Sequence, residues 1–283
     1  MRFVGWLFVL SCAAGIGTAA ESQAAVPEDI QLALGRLYNF DFPGTHEILA
    51  RHIAAHPGDP LGYAIRSAAC LFFELHRLSI LESEFLIDDR RIISKKKLKP
   101  DPGVKNDLWK AASEAQERAR QRLAQNPNDR EALFSLCLVS GVLTDYTALV
   151  EKRQFGSLSY AKQSQVYAVR LLRRDPKFYD AYLTSGVNEY LVGSMPFFLR
   201  WFVRFEQVQG SKKVAIVNLE LVARSGRYLG PFAKILLAII HLREKRPQES
   251  ERLLRELTRD FPENPLLRQE LGRLAARNSH AGQ

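Results

Sequence analysis

Prolines that stop amphipathic helices constrain this chain more than any other feature. They stand at Pro57, Pro127, Pro176 and Pro262, and a new apolar helical pattern follows each of them. Proline has no backbone N–H to donate and its ring clashes with the preceding turn, so a helix ends at each. The segment 231–265 (PFAKILLAIIHLREKRPQESERLLRELTRDFPENP) carries one complete cycle of the pattern. Residues 236–242 and 253–257 supply apolar seams, Arg246-Pro247 breaks the chain between them, and Pro262 ends the second. Two antiparallel helices with small residues where they cross satisfy that pattern. Such a pair cannot bury both apolar faces alone, so several must stack.

Within the segment, Lys234, Leu237, Ala238, His241, Ser250, Leu254 and Pro262 fall at the positions of the W-x2-L-G-x2-Y, A-x3-F and P template of about 34 residues. The segment therefore resembles a tetratricopeptide repeat, matching in residue type at the small and apolar sites. Counting back from Pro57, Leu32 and Ala33 take the L-G sites, Thr45 the small site and Leu49 the next apolar one. The same register pairs Tyr63 and Ser67 with Ala115 and Ala119, and Leu133, Leu136 and Cys137 with Ser164, Ala168 and Leu171. It also pairs Tyr182 and Gly186 with Ala215, Leu219 and Val222. No strand-like alternation of useful length interrupts it. The expected fold is all-α, with units at 26–59, 60–129, 130–178, 179–230 and 231–264, a capping helix at 265–277 and a disordered tail at 278–283. The three middle units exceed the template, and their extra residues lie between first and second helices, at roughly 79–106, 146–158 and 193–210.

The resemblance implies a right-handed superhelix whose first helices line a concave groove, acting as a scaffold for peptides or proteins and doing no chemistry. Chaperone-binding members hold a C-terminal carboxylate with Lys and Asn at two groove sites. Here those sites read Ala64 and Ala68, Phe134 and Leu138, Leu183 and Val187, and Ile235 and Ile239, so the carboxylate clamp is absent. With Leu61 and Ile65, these residues make the groove apolar. The chain's own insertions or an apolar helix of a partner should fill it, because large exposed apolar patches are rare.

Residues 1–20 read as a secretory signal. Arg2 supplies the cationic start, residues 3–10 the apolar core and Thr18-Ala19-Ala20 a small-residue cleavage site, with 21–25 as a short tether. Val9-Leu10-Ser11-Cys12 is the competing lipoprotein reading, in which Cys12 would be lipidated. No later run has 18 or so consecutive apolar residues. The expected location is the periplasm or envelope of a bacterium. With 46% hydrophobic and 25% charged residues the chain can build a large core, and disorder as a whole is excluded. The net charge of +9 suits an acidic partner or an anionic membrane surface; no nucleic acid is expected. Cys70 and Cys137 read as two buried thiols, with one disulfide as the alternative in an oxidising compartment.

Two cation-rich or aromatic runs are the partner-binding candidates. Arg90, Arg91, Lys95, Lys96, Lys97 and Lys99 form the densest cationic run; Phe197, Phe198, Arg200, Trp201, Arg204 and Phe205 form an apolar run with a cationic edge. Both belong to insertions of consecutive units, so they should project from one edge as an aromatic centre beside a basic rim. No catalytic, cofactor or metal site is assigned. His46-Glu47 opens like a zinc-peptidase motif, but Ala50 holds the second ligand's place. His52 and His56 are one turn apart with no first shell to complete them. Glu74, Glu82, Glu84, Asp88 and Asp89 suit a solvated surface. An exported hydrolase assembled from such scattered acids or histidines, or a peripheral membrane-surface adaptor, is the alternative reading. Intact-mass analysis of envelope-fraction protein should find a chain beginning near Glu21; a lipid-modified Cys12 at the N-terminus would reverse the ranking of the two signals.

Overall fold

The ends of the helices are written locally. Aspartate or asparagine accepts from free first-turn N–H groups at five helix starts among the described residues, beginning with Asp41, which accepts from Gly44. Asp59 accepts from Leu61, Asp101 from Gly103 and Val104, Asp129 from Ala132, and Asn264 from Leu266 and Leu267. Each such cap satisfies donors that the helix itself leaves unpaired. Prolines in the first turn, where no N–H is needed, complete several of them, at Pro60, Pro102 and Pro265.

A computed structural model describes residues 26–88, 98–195 and 207–281. In order the helices are α1 (Glu28–Tyr38), α2 (Phe42–Ala55), α3 (Pro60–Arg77), the single turn α4 (Ser83–Leu86), α5 (Pro102–Gln125), α6 (Arg130–Asp145), α7 (Gln154–Arg174), α8 (Tyr182–Ser194), α9 (Lys212–Ser225), α10 (Gly230–Arg243), α11 (Pro247–Asp260) and α12 (Pro265–Ala281). No strand occurs among the described residues. α12 takes in residues 278–281, which the sequence reading gave to a tail; no Pro or Gly interrupts the chain between Gly272 and Gly282.

Consecutive long helices pack together: α1 with α2, α3 with α5, α6 with α7, α8 with α9 and α10 with α11, each pair joined to the next. The small-residue sites Thr45, Ala115, Ser164, Ala215 and Ser250 are all buried at these crossings. Gly186 marks the tightest one, because a Cβ there would lie 2.9 Å from Leu219 Cγ and 3.2 Å from the Ala215 carbonyl.

Two turn types alternate along the array. Between pairs, the residue two after the proline donates back across the turn: Asp59 to His56, Asp129 to Asn126, Phe178 to Asp175 and Asn264 to Phe261. Within pairs, α1, α3 and α10 end in a Schellman motif with a left-handed residue that is not glycine: Phe40, Ser79 and Lys245. Asp41 N donates to Arg36 O, Ile80 N to Leu75 O and Arg246 N to His241 O in the three cases. After α6 a π-turn (Tyr146–Val150) widens the same closure by one residue, with Arg153 N donating to Thr147 O and Lys152 left-handed. Two of the insertions inferred from sequence leave the array from these within-pair turns.

The first and last pairs meet. Tyr38 Oη donates to the Tyr228 carbonyl (3.1 Å), Asn264 Nδ2 to the Tyr38 carbonyl (2.7 Å) and Glu263 N to Asn39 Oδ1 (3.1 Å). On another side, Arg273 pairs with Glu82 at 3.0 Å, Ser83 hydrogen-bonds Glu270, and Arg243 donates to the Leu86 carbonyl. α6 with its π-turn, Arg130–Val150, is long and apolar enough to cross a membrane by composition, with mean hydropathy 1.7, and 67% of that stretch is buried against its neighbours. Cys70 and Cys137 are buried and unpaired with each other; the Cys137 thiol lies 3.2 Å from Thr184 Oγ1.

The junction after α9 lacks a closing proline and is held from a distance. Asp180, 2% exposed, accepts from the backbone N–H groups of Arg227, Tyr228 and Leu229 at 2.8–2.9 Å. Asp180→Ala strands those donors and should cost about 3 kcal/mol, against about 1 kcal/mol for the ordinary cap lost in Asp101→Ala. Chemical denaturation of the two variants checks the contrast.

Candidate functional site

Residues of α1, α3, α6, α8 and the start of α10 line a narrow cleft of about 80 Å³ beside the contact between Tyr38 and Tyr228. α1 contributes Leu37 and Tyr38, α3 Phe72, α6 Phe134, Leu138 and Asp145, α8 Leu183, and the start of α10 Phe232. Tyr228, on the turn that Asp180 holds, stacks on Phe134 at 5.0 Å between centroids, and Phe72 meets Phe232 edge-on at 5.4 Å. Groove positions read from the sequence are inside or nearly so: Leu61, Ala64, Ile65, Ala68 and Phe134 are buried, and Leu138, Leu183, Val187, Ile235 and Ile239 are half-buried. Among the described residues, Leu34 and Leu37 of α1 and Tyr228 of the turn before α10 share a packed cluster with the groove positions Leu61, Ile65 and Phe134.

Asp145 is the odd side chain. Burial pushes its carboxyl up to about 7, with no charged neighbour contributing, and no described residue donates to it. The remaining titratable groups of the cleft are neutral or committed. Burial drives Tyr38 upward and holds Tyr228 at about 12. It also raises Cys137 against the opposing pull of its Thr184 and Ser164 contacts, while Asp180 is raised by burial against its backbone donors. Sequence reasoning passed over Asp145, although a signal existed. It follows Phe134, Leu138 and Gly141 at helical spacing and is the first charge after Glu131 on an otherwise apolar helix.

The sequence-read partner edge is visible only at its margins. Arg90, Arg91, Lys95, Lys96 and Lys97 lie outside the described residues, as do Phe197, Phe198, Arg200, Trp201, Arg204 and Phe205. Lys99 is exposed, and its carbonyl accepts from Arg77. Two insertions touch: Lys105, at the end of the first, pairs with Glu151 of the second at 2.7 Å. Phe155 in the second insertion is 91% exposed, and Leu191 and Val214, flanking the third, are 50% and 43% exposed. A broad recess between α11 and α12 is lined by Arg252 and Arg255, but Glu249, Glu256 and Glu251 hold both in same-helix pairs.

Of the scattered acids and histidines, Glu74, Glu82 and His52 have structural partners, and Asp89 lies outside the described residues. Glu74, fully buried, binds Arg77 through both oxygens and also accepts from Asp101 N. His52 is clamped at both ring nitrogens, Nδ1 to Asp29 at 2.5 Å and Nε2 to Asp59 at 2.8 Å, so neither faces His56 as a free ligand. No group of three or more His, Cys, Asp or Glu among the described residues is placed to hold a metal. Compared with protein-family models, curated proteins and solved structures, the chain finds no match.

Burial alone would lower the His52 pKa, and hydrogen bonds and charge from Asp59 and Asp29 more than reverse that, leaving it above the ordinary 6.5. The clamp's contribution is therefore complete below about 6.5 and is lost as pH rises through the raised folded value. Asp29, for which burial is outweighed by His52, is held below 3.8, so acid removes the clamp only as pH falls through that lowered value. Melting temperature should fall across the alkaline side of this window in the wild type and stay flat there in His52→Gln, measured by thermal denaturation against pH.

Proposed function

We propose that this chain is an exported protein-interaction scaffold of the tetratricopeptide kind, with five helix-pair repeats, a capping helix and no catalysis of its own. The observation that carries the reading is the recurrence of two turn types, Schellman closures after α1, α3 and α10 and proline turns after α2, α5, α7 and α11. That regularity favours a tandem repeat over a generic helical bundle, and repeats of this class serve as binding platforms. Partners are other proteins or peptides, with peripheral contact to an anionic membrane as an accessory role, in the periplasm or envelope.

Because the concave side is bridged by the chain's own ends, the partner surface belongs on the edge where the insertions emerge. Phe155, exposed beside the Lys105–Glu151 link, stands on that edge. The basic run 90–99 and the aromatic run 197–205 supply its remaining candidates, since aromatics and Arg dominate hot spots. A photo-crosslinker at Phe155 in protein expressed in its native envelope should give a discrete, competable adduct. That adduct should weaken on charge reversal of Lys95, Lys96 and Lys97 or on Ala replacement of Phe197 and Trp201. Unchanged crosslinking in both folded variants, or turnover of a substrate by the purified protein, would sink the scaffold-edge reading.

A further inference from the structure

The cleft combines two features that seldom coexist without a ligand. Its walls are aromatic and aliphatic, and its one uncommitted charge, Asp145, has no counterion among the described residues. Asp145 is half-buried, so an ionised carboxylate there loses part of its hydration, and a cation or a proton restores the balance. Aromatic faces attract a cation as well, and Phe72, Phe134, Tyr228 and Phe232 all line the recess. We propose that the cleft binds a small primary alkylammonium ion, its ammonium against the Asp145 carboxylate and its hydrocarbon body among these rings and Leu138.

Size and access select this occupant. The recess measures about 80 Å³, roughly half the ~150 Å³ that accommodates benzene in an apolar cavity, which leaves room for an ammonium on a short chain. The Tyr38–Tyr228 hydrogen bond and the Phe72–Phe232 contact cross the concave side, so a helix or an extended peptide does not fit. A hard divalent cation would want several oxygens, and the cleft offers one uncommitted carboxylate. Asp180 is engaged by three backbone donors; Tyr38, Tyr228 and Cys137 are kept protonated by burial; the other cleft residues from α1, α3 and α8 are uncharged. Asp145 alone is left to answer a cation. The inference is independent of the partner edge, which lies on the outer insertions.

Isothermal titration of the purified protein with n-propylammonium chloride tests it. At about pH 8.5, where the carboxyl is ionised, binding should be saturable with one site; at about pH 5.5, where the site holds a proton, it should weaken about tenfold or more. The uncharged isostere 1-propanol should not bind. Asp145→Asn should weaken propylammonium about tenfold or more. That variant should also melt higher than wild type at the alkaline pH, which separates lost binding from lost folding. Leu138→Trp, which fills the recess with Asp145 intact, should abolish binding; if it does not fold, the Asn variant decides alone. The proposal is overturned by an absence of saturable binding to folded wild type, by equal binding to Asp145→Asn, or by 1-propanol binding as well. It is equally overturned if Asp145→Asn melts lower than wild type at alkaline pH, or if only lysine-bearing peptides bind and the free amine does not.

Discussion

The structure depends on the contact between the end of α1 and the turns that flank α10 and α12. Stacked helix pairs ordinarily touch only their neighbours, so their stability adds up along one dimension and their ends stay open. Here Tyr38 donates to Tyr228, its own carbonyl accepts from Asn264, and its ring packs on Phe261 at 5.3 Å. The contact works only because the Tyr228 carbonyl is held in place. That is the task of Asp180, whose carboxylate takes three successive backbone donors from residues 227–229. A residue at the start of the fourth pair thus sets the geometry through which the first pair reaches the fifth.

The same contact covers an apolar surface. Left open, a face formed by Leu61, Ile65, Phe134 and Leu138 would be an aggregation hazard. Among the described residues these side chains are buried or half-buried, beside a recess of about 80 Å³. The first insertion is drawn into this arrangement at both ends. Where it leaves α3 and returns to α5, the buried Glu74 carboxylate holds Arg77 and the Asp101 N–H, and Arg77 also donates to the Lys99 carbonyl. Farther out, Glu82, Ser83 and Leu86 are tied to α12 and α10. The cationic run between Leu86 and Lys99 therefore departs from two fixed points, one near each end of the array.

Helix pairing was legible because it rests on local rules. Proline stops, small residues at crossings and acidic caps act within a few positions of each other, so Pro57, Ala115, Ser250 and Asp129 announce their roles. The within-pair closures were harder to read. A left-handed C-terminal residue is usually glycine, and here Phe40, Ser79 and Lys245 occupy that conformation without advertising it. The meeting of the ends was illegible, since nothing in Tyr38 or Tyr228 encodes a partner 190 residues away. The role of His52 was not readable from its spacing to His56. The decisive neighbours were acids on either side of α2, Asp29 and Asp59, which occupy both ring nitrogens. Asp145 carried a readable signal, one acid at the end of an apolar helical face, and its meaning emerged only when the face proved to be the wall of a closed recess.

The non-glycine closures also explain why insertions of very different length are accommodated. A left-handed L-residue costs about 1 kcal/mol or more, so the conformation persists only where surrounding hydrogen bonds over-determine it. At Ser79 the Ile80 N–H is tied to Leu75 and Ile80 is itself fully buried, which fixes the exit direction of the chain before the insertion begins. After α6 the π-turn performs the same function one residue later, with Tyr146 and Val150 buried and Lys152 left-handed. Once the exit is fixed by packed residues, chain added beyond it does not disturb the pair, and loop length costs little in closure entropy. Pair geometry and insertion content are thereby uncoupled, which lets one edge of the array vary in charge and aromatic content while the recess behind it keeps its shape.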